Sequence, residues 1–171
     1  KDAYRIPGAG GRESLTAGTN LPNGVIVHYF LPTYDEEKDN VSLSFHSKDG
    51  ALIKEFSNKS KENLLKVKKG GNSFVWDMKY TGAKRIENMV LWAADFSGAK
   101  AVPDNYKVKL SFNGSELSQN FMILKNPNSE GTIDEIRSQF KFVNEINEIV
   151  DKAHKAIINI RKIKKDLKKF Q

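Results

Sequence analysis

The spacing of apolar residues changes once along this chain, and the change decides what the chain can fold into. From Leu21 to Lys125 apolar residues recur at every second position; after Gly131 they recur at every third or fourth, with no Gly or Pro to the end. A period of two marks strands with one buried face, and a period near 3.6 marks an amphipathic helix. The chain is expected to be mainly β with a long C-terminal helix.

Within the first region Val25, Val27, Tyr29 and Leu31 share one strand face, Val41, Leu43 and Phe45 another, and Phe74, Trp76, Met78 and Tyr80 a third. Val90, Trp92, Ala94 and Phe96 follow, then Tyr106, Val108, Leu110 and Phe112, then Leu117, Gln119, Phe121 and Ile123. Asp49-Gly50 and Asn113-Gly114 separate strand patterns with residues that accept positive φ, as tight hairpins require. About seven short strands without an intervening helical period predict an antiparallel β-sandwich of the immunoglobulin or fibronectin III type, with Trp76 and Trp92 in its core. Residues 21–125 are expected to form this sandwich. Residues 1–20, with four glycines and scattered apolar side chains, read as a linker or wrapping segment.

Residues 126–171 open on Asn126-Pro127-Asn128, and Thr132 with Glu135 three positions later makes a capping box. Ile136, Val143, Ile146, Val150, Ile157, Ile160 and Leu167 then define an interaction face, widened by Phe140, Ile149, Ile163 and Phe170. One helix from Thr132 to Phe170 would run about 58 Å. That exceeds a sandwich, so part of the stripe is expected to meet a second helix or a copy of itself. A break near Asn147, folding a return helix back, is the alternative. The opening at Lys1 reads as that of a piece of a larger protein, and the helix as part of a hairpin.

Charge separates the same regions. Of the net charge of +7, +6 lies from Asp151 onward. A basic tail on a near-neutral body suggests two modules with different jobs. Lys and Arg along Arg161–Lys169 could meet phosphate or anionic lipid, but no aromatic residues interleave to stack on bases, and a solvated helix face is the simpler reading. No nucleic-acid partner and no stable membrane insertion is expected, since no run approaches the roughly 18 apolar residues a span needs.

Four segments carry a family resemblance. Leu21-Pro22-Asn23-Gly24-Val25-Ile26-Val27-His28-Tyr29-Phe30-Leu31, Gly71-Asn72-Ser73-Phe74-Val75-Trp76-Asp77-Met78-Lys79-Tyr80, Met89-Val90-Leu91-Trp92 and Ala101-Val102-Pro103-Asp104-Asn105-Tyr106-Lys107-Val108-Lys109-Leu110 occur in that order. Together they resemble the C-terminal domain of bacterial sortilin-like BNR (Asp-box) repeat proteins of the glycosyl hydrolase type, with Asp104 where that family has glycine. The resemblance spans residues 21–170. It implies an accessory domain behind a preceding β-propeller, in an extracellular or periplasmic protein whose propeller carries any chemistry.

Candidate sites are few. With no cysteine in the chain, thiolate metal sites and thiol nucleophiles are excluded. Gly8-Ala9-Gly10-Gly11 lacks the strand and the Lys-Ser/Thr of a phosphate loop. His28, His46 and His154 have no partner at ligand spacing, and Asp35, Glu36, Glu37 and Asp39 lack the calcium-loop pattern. Asp77 and Asp95 are expected on outward strand faces, apart from any glycosidase-like pair. The chain is read as having no catalytic residue, no metal and no cofactor; the alternatives to helix-mediated association are a carbohydrate-binding module or part of a glycosidase and, after these, nucleic-acid or membrane-surface binding by the basic helix.

Overall fold

A computed structural model describes residues 3–4, 21–86, 88–89 and 96–169. The segment 5–20 and the expected strand residues Val90, Trp92 and Ala94 lie outside them, as do Asp95 and Phe170. By contacts the chain divides into two compact units, one comprising residues 1–78 and 102–131, the other 79–101 and 132–171. Residues 79–101, read from the sequence as sandwich, cluster with the helix.

The first unit is mainly β. Strands β1 (Ala3–Tyr4), β2 (Val25–Leu31), β3 (Val41–Ser47), β4 (Leu52–Ser57), β5 (Gly70–Trp76), β6 (Asp104–Phe112) and β7 (Ser115–Leu124) form two sheets. One has the order β1-β7-β6-β3-β4; the other pairs β2 with β5. Among the described residues six strands are antiparallel, where about seven were expected, and the two-residue β1 joins β7 in parallel. Both hairpin expectations hold. Phe112 pairs with Ser115 around Asn113 (φ 50°) and Gly114 (φ 88°), and Gly50 (φ 84°) sits in the β3–β4 turn.

Alternation places Val41, Leu43 and Phe45 of β3 fully inside. Phe45 stacks on Trp76 of β5 at 4.4 Å between ring centroids, and Trp76 meets Tyr106 and Phe121 edge-on, so aromatic rings from both sheets fill one core. Two expected runs are shorter than the sequence suggests. The Phe74–Tyr80 run stops at Trp76 because Met78, though buried, has φ 60°, a left-handed conformation that no strand continues through. In β7 the alternation appears only from Phe121 onward, and Leu117 is exposed.

Tyr106, at the start of β6, donates its hydroxyl to the Val102 carbonyl at 2.7 Å. Tyr106→Phe removes that bond and strands a carbonyl in a part-buried setting. It is expected to cost about 1 kcal/mol, read as a lower urea midpoint at unchanged slope. An unshifted midpoint would show the bond to be without net value.

In the second unit α1 (Ile133–Leu167) is one helix of 35 residues, about 52 Å long, and continues through Asn147 without a break. Its start is as expected. Thr132 Oγ1 accepts from the Glu135 amide at 3.2 Å and the Glu135 carboxylate accepts from the Thr132 amide at 2.7 Å.

Candidate functional site

The wide apolar stripe of α1 is two stripes. Ile136, Phe140, Val143, Asn147, Val150 and Ile158 are half-buried and His154 is buried; these positions step by three or four around one face. Described residues of segment 79–101 cover part of it. Tyr80 meets Phe140 edge-on at 4.9 Å, and Phe96 meets His154 edge-on at 5.1 Å.

Polar groups fix this contact. His154 Nδ1 lies 2.5 Å from the Lys84 carbonyl, which can only accept, so Nδ1 carries the proton and donates. One turn earlier, Asp151 accepts from the Lys84 amide at 3.1 Å and pairs with Lys155 at 2.5 Å. Those two partners, Lys155 first and the Lys84 amide second, hold the Asp151 carboxyl below its usual range. The Asn147 side-chain nitrogen is buried on the same face without a partner among the described residues.

The other stripe is uncovered. Phe142, Ile146, Ile149, Ile160, Ile163 and Leu167 are all exposed, from 44% for Ile146 to 66% for Ile149, and Ala153 and Ala156 between them are exposed as well. Of the seven positions expected to form one interaction face, the fold therefore brings Ile146, Ile160 and Leu167 onto the open stripe and turns Ile136, Val143 and Val150 toward the covered one. Ile157, 39% exposed, stands beside the open stripe. Phe142 and Ala156 had drawn no notice in the sequence. The signal that could have separated the stripes is polar: Asn147 and His154 interrupt one face and leave the other wholly apolar.

The remaining candidates are engaged or isolated. His46 hydrogen-bonds to the Gly50 carbonyl and the Ser44 hydroxyl, while His28 is exposed on β2. Asp39 accepts from the Asn113 side chain at 2.8 Å and the Asp35 amide at 2.7 Å, which hold its carboxyl below the usual range. Among the described residues no three His, Asp or Glu side chains converge as a metal site would need. An open groove of about 880 Å³ runs along β2 and β5, lined by His28, Tyr29, Phe30, Lys66, Lys68 and Asn72. Asn72 is occupied with the Lys68 backbone, and burial pushes the pKa of the Tyr29 hydroxyl up.

Compared with known protein families, curated proteins and solved structures, the chain matches none.

Proposed function

We propose that the chain is a non-catalytic interaction module that associates with another helix through the uncovered stripe of α1. The observation that carries this reading is the stripe itself, eight consecutive seam positions from Phe142 to Leu167, all apolar and all exposed. Fully burying a side chain of the size of Ile or Phe contributes about 1.5–3 kcal/mol, so six such side chains form a strong association surface. Tyr80, Lys84 and Phe96 already engage part of the other face, which gives the helix a partly covered back and an open front.

Two further features belong to the proposal. The first unit is read as an immunoglobulin or fibronectin III-like sandwich, supported by the strand order and by the hydrogen bond from Tyr106 near the start of β6 to the backbone four residues upstream, the arrangement of a tyrosine corner. The motifs at residues 21–31, 71–80 and 101–110 support reading the module as an accessory domain behind the β-propeller of an exported sortilin-like BNR protein.

Ile160→Asp tests the association. It places a carboxylate within the seam, where burial without a partner costs several kcal/mol, and each 1.4 kcal/mol is a factor of ten. Sedimentation equilibrium is expected to find an assembled wild type and a variant weakened about a hundredfold or more, with unchanged helical circular dichroism. A wild type that stays monomeric, or an assembly that Ile160→Asp leaves intact, overturns the reading.

A further inference from the structure

The order of side chains along the open stripe identifies what covers it. Phe142, Ile149, Ala156 and Ile163 fall at d positions of a heptad and Ile146, Ala153, Ile160 and Leu167 at a positions, with spacings of four and three in strict alternation. Read from either end the seam presents nearly the same series: a large residue, two isoleucines, two alanines, two isoleucines and a large residue. Resting on the association reading above, we propose that the occupant is a second copy of this chain, with the two helices antiparallel and related by a two-fold axis between Ala153 and Ala156.

Two independent features select this partner. In an isologous two-fold contact, residue i meets j and j meets i, so an antiparallel self-pair places each a residue against a d residue. The layers become Phe142 on Leu167, Ile146 on Ile163, Ile149 on Ile160 and Ala153 on Ala156. Size-matched layers and small residues at the crossing are what self-pairing needs; a seam shaped for an unrelated helix has no reason to be palindromic. Charge then chooses the direction. Residues 133–150 carry a net −2 and residues 151–169 a net +6. Antiparallel pairing sets each acidic half across from a basic half, whereas parallel pairing stacks the two basic halves on each other, a like-charge cost that specifies against it.

The chain has no cysteine, so single cysteines report the pairing cleanly. Ile146→Cys and Ile163→Cys chains are mixed and oxidised, and each is also oxidised alone. In the proposed register Ile146 faces Ile163 of the second copy. It lies about 25 Å along the axis from its own equivalent, beyond the ~7 Å between Cα atoms that a disulfide tolerates. The expected result is a cross-linked dimer of the two different chains in the mixture, with neither chain linking to itself. Self-linking of each variant alone would establish parallel pairing and overturn the proposal, as would a mixture that does not cross-link. Either outcome, found together with an assembly that Ile160→Asp dissolves, leaves helix-mediated association standing and removes only the antiparallel self-pair. An assembly indifferent to Ile160→Asp removes both.

Discussion

Trp76→Ala is expected to cost about 3–5 kcal/mol, the range for removing a large buried aromatic side chain. Trp76 is fully buried, and with Phe74 it carries the β2–β5 sheet into the aromatic core: Phe45 lies stacked against it, Tyr106 and Phe121 edge-on. Truncation leaves a cavity bounded by side chains from three strands, β3, β6 and β7, whose register is set by ladder hydrogen bonds and which cannot close over it. Total domain stabilities are about 5–15 kcal/mol, so the loss is a large share. Urea unfolding followed by far-ultraviolet circular dichroism measures it. A loss under about 1 kcal/mol would mean that the core collapses around the gap and that Trp76 is not its centre.

The β part of the fold was largely legible in the sequence because its signals are local. Period-two alternation located five of the six antiparallel strands among the described residues, β4 excepted, and Asn113-Gly114 marked a turn whose positive φ angles only a few residues accept. What was not legible depends on neighbours distant in sequence. Nothing local announces that residues 79–101 cluster with a helix beginning at Ile133; the contact is made by Tyr80 with Phe140 and by Lys84 with Asp151 and His154. The helix itself was readable from its capping box and its lack of Gly and Pro. Its stripe was not, because two seams a few positions apart on one helix merge into a single broad band when apolar residues are counted without asking what covers each. Ile136 and Ile160 look alike in sequence, and the fold puts one toward a cover and the other in the open.

Gly98→Ala is expected to disrupt the second unit by about 3 kcal/mol or more, at or above the top of the usual overpacking range. A Cβ built on Gly98 would run into the Tyr80 carbonyl, and one built on Gly82 would run into the Phe96 carbonyl. The two limbs of segment 79–101 thus approach backbone to backbone, each glycine admitting the other limb. The same approach brings the Tyr80 amide to the Ala99 carbonyl at 2.9 Å and the Lys79 ammonium to the Ser97 hydroxyl at 2.8 Å. A methyl group facing a carbonyl cannot be relieved by a rotamer change, so the limbs must part. Hydrogen exchange reads the result: the Tyr80 amide should lose protection while amides of β3 and β6, in the other unit, keep theirs. The consequence for association follows from the two-sided helix. With its cover loosened, the face carrying Phe140, Val143 and Val150 joins the open stripe, and a helix with two exposed apolar faces no longer specifies one partner or one register. Gly98→Ala should therefore broaden the assembly to larger, heterogeneous species, whereas Ile160→Asp abolishes it. A Gly98→Ala chain with wild-type exchange at Tyr80 would show that the close approach is not required and that the covered face has another support.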